Sequence, residues 1–179
     1  AMDDFIKLLK DDCSCLYLAC GPGKFSARIA SRFNGAKITG VDISSSMIDL
    51  AKAAVPNGDF RCMNILEAEF DEAQFDAVLL SFCIVHLNRD EAVSIIEKSS
   101  RFLKSGGLLY ISFMEGKTDG FEKTSFSDDE IYFHYHNENE IIRVMEDNGL
   151  RAVKRFSQDY AEADGSITKD VFLFAEKKL

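Results

Sequence analysis

Apolar residues fall along the chain in two alternating rhythms. Short apolar runs occupy Cys15–Ala19, Lys37–Val41, Asp59–Met63, Phe75–Ser81 and Leu108–Phe113. Most are nearly continuous, as strands covered on both faces must be. Between them the apolar positions step at helical spacing. Phe25, Ile29 and Phe33 recur at i, i+4 and i+8 and stop at Asn34-Gly35. Met47, Leu50, Ala51 and Ala54 behave likewise and stop at Pro56-Asn57-Gly58. Val93, Ile96 and Leu103 share one face of a third helix, for which Gly106-Gly107 reads as the C-terminal stop. This alternation predicts a parallel sheet with helices on both faces and right-handed crossovers.

The last part of the chain breaks the rhythm. Asn137-x-x-Glu140 is a capping-box-like start to a helix carrying Ile141, Ile142 and Met145 and closed by Gly149. Two strand-like runs follow, Leu150–Phe156 and Asp170–Glu176, joined by the polar stretch Ser157–Lys169. A connection without a helix suits an antiparallel hairpin at a sheet edge better than a crossover. The expected fold is one three-layer α/β domain over residues 1–179, its sheet mostly parallel and seven-stranded with the last strand antiparallel.

Composition narrows what such a domain does. Of the 179 residues 46% are hydrophobic and 28% charged, and a chain this long buries roughly 70% of its unfolded surface without a disulfide or metal staple. No stretch reaches the ~18–20 uncharged apolar residues of a membrane span, and no basic n-region with an apolar h-region opens the chain. The expectation is a cytoplasmic protein with no membrane partner. Lys plus Arg number 21 against 30 Asp plus Glu, a net charge of −9. That surface repels phosphate backbones, so nucleic acid is disfavoured and a small-molecule substrate favoured. The five cysteines include Cys13-Ser14-Cys15 but no C-x-x-C, and all three histidines lie far downstream. Free, mostly buried thiols are expected, and no metal site.

The candidate chemistry lies after the first strand, because open α/β sheets bind ligands outside the carboxyl ends of their strands. The turn reads Ala19-Cys20-Gly21-Pro22-Gly23-Lys24-Phe25-Ser26. Its glycines let the backbone approach a ligand and offer N–H groups at a helix N-terminus. Asp42 ends the second strand about 20 residues on, where a carboxylate can accept both hydroxyls of a ribose. Together they point to a nucleoside-containing cofactor. The alternative is a tight turn followed by a helix cap at Asp42 or Ser44–Ser46. A nicotinamide dinucleotide site wants a third glycine where this chain has Ser26, which weakens that reading.

In these residues the chain resembles the class I S-adenosylmethionine-dependent methyltransferases, of the type 11/25-like group. Leu16-Tyr17-Leu18-Ala19-Cys20-Gly21-Pro22-Gly23 is similar to their first motif, of the form L-D-L-G-C-G-T-G. Gly40-Val41-Asp42-Ile43-Ser44 resembles the second. Phe75-Asp76-Ala77-Val78 followed by Val85-His86-Leu87 resembles the fourth-strand motif, and the run Phe102–Ile111 the L-K-P-G-G turn. The resemblance implies a Rossmann-like sandwich and methyl transfer to a small molecule or a protein. It implies that Gly21 and Gly23 pass under the methionine and ribose, that Asp42 holds the ribose hydroxyls, and that Ile43 packs on the adenine. Met63 lines the adenine pocket, with Met47 and Ile65 counted among the cofactor-binding residues. Asn64 stands where the family often has Asp, and its amide oxygen can accept from the adenine amino group. Ser81 and Phe82 lie near the reacting methyl.

Two positions depart from the pattern. Tyr17 replaces an acidic residue near the ligand's amino group, its phenol oxygen an acceptor in that residue's stead. Ala19 replaces the first glycine and puts a methyl where close backbone approach is usual. The helices that commonly precede the first strand, closing over the cofactor, are represented only by Asp3–Lys10, so that lid is short or trimmed.

Methyl transfer from a sulfonium needs alignment and exclusion of water, and a base only when the nucleophile arrives protonated. His86 is the candidate base; the alternative is a structural histidine bonded to a loop backbone. Tyr132-Phe133-His134-Tyr135-His136 supplies candidate substrate-facing residues, Tyr132, His134 and His136 beside His86, or else a half-buried strand or helix lead-in. A similar stretch occurs in some transfer-RNA wobble-uridine methyltransferases, but the net charge argues against importing that substrate. Glu115–Asp129 is a candidate lid or a solvated connection. Against the enzyme stands a catalytically degenerate relative acting as a binding module, motivated by Tyr17 and Ala19; a nucleotide-dependent oxidoreductase is least favoured.

Overall fold

A computed structural model describes residues 1–124, 127–161 and 165–178, without the side chains of 123–129. Its elements are α1 (Met2–Ile6), β1 (Ser14–Leu18), α2 (Lys24–Arg32), β2 (Lys37–Asp42), α3 (Ser45–Ala54), β3 (Asp59–Cys62), β4 (Phe75–Ser81), a 3-10 turn (Ile84–His86), α4 (Arg89–Phe102), β5 (Leu103–Glu115), β6 (Gly120–Thr124), β7 (Ser127–Phe133), α5 (Glu138–Asp147), β8 (Leu150–Ala161) and β9 (Ile167–Lys177). Seven strands form one sheet in the order β3-β2-β1-β4-β5-β9-β8. β9 runs antiparallel to both its neighbours and the other pairings are parallel. This is the expected Rossmann-like sandwich, with its antiparallel strand last in the chain.

Alternation along the strands divides the core. Leu16 and Leu18 of β1, with Val78 and Leu80 of β4, face α4 and α5 through Ile95, Ile96, Ile141 and Met145. Cys15, Tyr17, Ala77 and Leu79 face α1, α2 and α3 through Phe5, Phe25, Ile29 and Ile48. Strand order reverses between β1 and β4, so the crevice at their C-terminal ends is where a ligand belongs.

Three expectations about boundaries give way. The third helix, α4, stops at Phe102 rather than at Gly106-Gly107, because fully buried Leu103 is extended and pairs with Phe75. The next pair is Ala77 with Leu108, so residues 104–107 form a bulge inside β5. The loop Ser157–Lys169 is mostly strand, since β8 runs to Ala161 and β9 begins at Ile167. β8 is an edge strand exposed along most of its length, which removes the alternation that would mark it. Part of the candidate lid Glu115–Asp129 folds with the residues after it as the β6–β7 hairpin; Ser125 and Phe126 lie outside the described residues.

The opposite end of the sheet is stapled by Asp76. Its Oδ2 accepts the Ser14 N–H at 2.8 Å and the Ser14 hydroxyl at 2.7 Å, and Lys104 Nζ lies 2.9 Å away. Burial pushes the Asp76 carboxyl up, but these donors outweigh it and hold the group below the usual carboxylate range. A lowered folded-state value stabilises the fold above the unfolded pKa of about 3.9 and ceases to do so as pH falls through the folded value. Asp76→Ala should therefore lower stability at pH 7 by about 1–2 kcal/mol, or about 2–8 °C in Tm, and by little at pH 2. Thermal unfolding of both proteins at the two pH values checks this.

Candidate active site

Three residues with left-handed backbone fold the chain back beneath α2. They are Ala19 (φ +56°), Gly21 (φ +52°) and Gly23 (φ +75°), the last being the N-cap of α2. A Cβ on Gly23 would sit 3.0 Å from Cα and 3.1 Å from Cβ of Ala51 on α3, whereas one on Gly21 would meet nothing within 4 Å. Glycine at 23 is thus demanded by both conformation and space.

Asp42, 9% exposed, braces the turn. Its Oδ2 accepts the Gly21 N–H at 2.8 Å and its Oδ1 the Ser44 N–H at 3.0 Å. Each carboxylate oxygen has a second lone pair, so acceptor capacity remains for two hydroxyls. The cap of α3 is Ser44, whose side chain accepts the Met47 N–H; Asp42 is the brace. Next to it Ile43 is 74% exposed, with Met47 and Leu50 of α3 also exposed. The Met63 N–H donates to the Asp42 carbonyl at 3.0 Å. Asn64 Oδ1 accepts the Leu66 N–H at 3.0 Å, turning the chain into the core where Ile65 is buried and Met63 packs. Burial, then the Asp42 charge, pushes the Cys20 and Cys83 thiols each up to about 12.

Ala19 holds its left-handed conformation at a cost of roughly 1–2 kcal/mol for a residue with a Cβ. Glycine there would add unfolded-state entropy of about 0.5–1 kcal/mol. Ala19→Gly should therefore stabilise the fold by about 0.5–1 kcal/mol, read from denaturant midpoints at constant slope.

Tyr17 is buried on the α1–α3 face, edge-on to Phe25 at 5.8 Å. Its hydroxyl bonds with Ser81 at the end of β4, and burial pushes its pKa up. Phe82 follows with φ +48°, a strained value for an aromatic residue. Its N–H is held by the Ser112 carbonyl at 3.1 Å and the Ser112 hydroxyl at 3.0 Å.

The histidines gather around the Ile84–His86 turn. The Nε2–H of buried His136 donates to the Ile84 carbonyl at 2.7 Å. The His134 N–H donates to the Val85 carbonyl at 2.8 Å, and its Nδ1 lies 2.7 Å from Asp119 Oδ2. Asp119 also accepts the Tyr135 N–H at 2.8 Å. That bond outweighs burial and, with His134, holds the Asp119 carboxyl low. His86 is exposed, bonds with the Tyr132 backbone, and has its ring 5.3 Å from Phe133. Burial lowers the pKa of both His86 and His136. The structure thus brings together His86, His134 and His136, and their polar atoms strap β7 to the turn. Tyr132 joins them, its ring edge-on to His134 at 5.0 Å, while it stays 40% exposed and meets Phe121 edge-on at 4.9 Å on its other side. Sequence reasoning missed Ser112 and Asp119: nothing local marks a buried serine as the anchor of Phe82, and Asp119 meets His134 only through an unforeseen hairpin.

A family model described as a methyltransferase domain matches residues 15–107, from β1 through the bulge of β5. The chain belongs to this methyltransferase family. Among curated relatives, the demethylmenaquinone methyltransferase of Chlorobaculum tepidum is 32% identical over 96 residues, 54% of this chain and 38% of that enzyme. The malonyl-[acyl-carrier protein] O-methyltransferase of Acetivibrio thermocellus is 28% identical over 134 residues, 74% of this chain and 43% of that enzyme. The chain spans less than half the length of these relatives. A solved S-adenosylmethionine-dependent methyltransferase from Methanosarcina mazei superposes with a TM-score of 0.81 at 21% identity, covering 98% of this chain and 97% of that one. Methyltransferases of this class take S-adenosylmethionine, and the turn fits it: a cradle at Gly23 that a Cβ would fill, a braced carboxylate with spare lone pairs, and an exposed Ile43. No helix among the described residues is long and apolar enough to cross a membrane.

Proposed function

We propose that the protein transfers the methyl group of S-adenosylmethionine to a small-molecule acceptor. The observation that carries the reading is Asp42, which ties Gly21 to the start of α3 and keeps one lone pair on each oxygen. In this reading those lone pairs take the ribose hydroxyls, and Gly21 and Gly23 run beneath the ribose and methionine. Ile43 and Met47 cover the adenine, with Met63 and Asn64 on its other side, while Ile65, buried in the core beneath, backs them. Ala19, Tyr17, Ser81 and Phe82 shape the end where the methyl lies.

When bound, the cofactor supplies an electrophilic methyl on sulfur, so the protein's task is alignment and exclusion of water. Phe82, pinned by Ser112, presents an apolar wall there. His86 is the base for an acceptor that arrives protonated; its lowered pKa keeps it neutral at pH 7, with one ring nitrogen toward Tyr132 and the other free to take a proton. Two structural neighbours are named for small acceptors, a geranyl diphosphate C-methyltransferase and a 1,6-didemethyltoxoflavin N1-methyltransferase, which supports that class. The five free cysteines suit the reducing cytoplasm.

Calorimetry with S-adenosylhomocysteine tests the reading. The ligand should bind, and at a hundredfold excess over Kd it should raise stability by about 2.7 kcal/mol. No heat and no thermal shift at millimolar ligand would leave a binding module with a methyltransferase fold.

A further inference from the structure

The α1–α3 face of the sheet is covered only in part. Register places residues across β4, β5, β9 and β8 in rows: Leu79, Tyr110 and Phe174; then Ser81, Ser112, Phe172 and Phe156; then Met114, Asp170 and Gln158. Phe5 of α1 covers the first row, at 5.4 Å from Tyr110 and 5.2 Å from Phe174. Beyond it Phe156, Phe172 and Asp170 are each partly exposed, whereas Met114 packs against the core of the other face. Phe82 leans over from the end of β4 and meets Phe172 edge-on at 5.7 Å. The result is a partly exposed aromatic patch that runs from Ser81 across the sheet, with Asp170 on its far side.

Asp170 is the odd residue in it. Burial pushes its carboxyl above the usual range, and Tyr160 of β8 stands diagonal to it on the same face. No Lys or Arg pairs with it among the described residues. Its neighbour Lys169 points to the other face, onto Glu115 at 2.5 Å and Glu138 at 3.8 Å. Lys154 of the same face lies over the Phe156 ring at 4.8 Å and reaches toward Asp4 at 3.9 Å, so Asp170, a half-buried carboxylate beside Phe172 and unpaired with it, is complementary to a cation on an apolar body.

We propose that this patch is the acceptor subsite, and that Asp170, with Tyr160 diagonal to it on β8, receives the amine of an aromatic amine whose ring packs on Phe82 and Phe172. The assignment rests on the methyltransferase reading above and names the substrate class for it. Strands lie about 4.8 Å apart, so Asp170 stands roughly 10 Å across the sheet from β4. That span suits one ring and a short side chain, with the methyl-accepting atom at the Ser81 end.

The test uses two probes that share a phenol ring and differ in charge, tyramine and 4-hydroxyphenylacetate, titrated into protein saturated with S-adenosylhomocysteine. Tyramine should bind at least about tenfold more tightly, as a charge-assisted hydrogen bond gives. Asp170→Asn should remove most of that preference. Tyr160→Phe should reduce it less, and both variants should keep the affinity for S-adenosylhomocysteine. The net charge of −9 favours any cation, but Asp170→Asn changes that charge by only one, so a preference that survives it comes from the general field and overturns the assignment. Equal binding of the two probes, or binding of neither while S-adenosylhomocysteine binds, overturns it too and leaves the cofactor reading intact. Failure of S-adenosylhomocysteine itself to bind takes down both.

Discussion

Asp42→Ala should weaken S-adenosylhomocysteine binding by at least about a hundredfold, because it removes two contributions at once. One is the pair of charge-assisted bonds to the ribose, each worth about 1.5–3 kcal/mol. The other is the brace. With the carboxylate gone, the Gly21 and Ser44 N–H groups lose their acceptor, and the turn beneath the ligand is no longer held in its binding shape. The brace alone should lower stability by about 2–4 kcal/mol. Asp42→Asn should be nearly as damaging: one side-chain oxygen becomes an NH2, which must then face either the Gly21 or the Ser44 N–H, donor against donor. Titration calorimetry and denaturant unfolding on the same samples separate the two effects. Lost stability with full affinity would make Asp42 a brace and nothing more, and the ribose assignment would fall. An internal check is available in Cys20, whose thiol the Asp42 charge helps push up. In Asp42→Ala it should titrate lower and react faster with thiol reagents.

That double duty explains why the site was half legible in the sequence. The Gly-rich turn and the acid at the end of β2 could be read because glycine and a spaced carboxylate are local signals of a backbone near a ligand. Whether Asp42 or a serine caps α3 could not be read, since all of them are short polar residues in a permissive place; Ser44 caps because Asp42 is drawn back to Gly21. Tyr17 stands for the opposite limit. At an odd position of a strand buried on both faces, its side chain goes where the pleat sends it, into the Phe25 layer. Only the sheet register shows that its hydroxyl then reaches Ser81.

The fold was legible wherever periodicity exists. β4 lies where its apolar run does, and α2, α3 and α5 follow their helical spacing. The reading slipped where burial is one-sided or absent. β8 is solvated on both faces along most of its length, and its second half is indistinguishable from a polar loop by pattern. α4 begins at a capping box of Asn88 and Glu91, and it ends four residues before the first of its two glycines because Leu103 is worth more in the sheet than in another helical turn. The β6–β7 hairpin carries no tight-turn dipeptide, so nothing in its sequence announces a reversal.

Gly23→Ala should be the most damaging small substitution in the turn, and Gly21→Ala is its control. Both positions have left-handed backbone, at φ +75° and φ +52°, so both variants carry the same conformational cost of about 1–2 kcal/mol. They differ in space. The new methyl at 21 meets nothing, whereas at 23 it meets the Ala51 Cα at 3.0 Å and Cβ at 3.1 Å. Backbone cannot step aside as a side chain can, so α2 and α3 must separate, at a further cost of about 1–3 kcal/mol. The loss should reach about 2–5 kcal/mol at 23 against about 1–2 kcal/mol at 21. Affinity should follow stability at 23, because a displaced α3 carries the Ser44 N–H away from Asp42. Ala51→Gly in the Gly23→Ala background should restore part of the loss, since it clears the Cβ contact but leaves the Cα. The coupling should be about 0.5–1.5 kcal/mol, as for groups in direct contact. Equal losses at 21 and 23, or additivity with Ala51→Gly, would mean that α2 and α3 do not lock this turn and that its shape is set by the carboxylate of Asp42 alone.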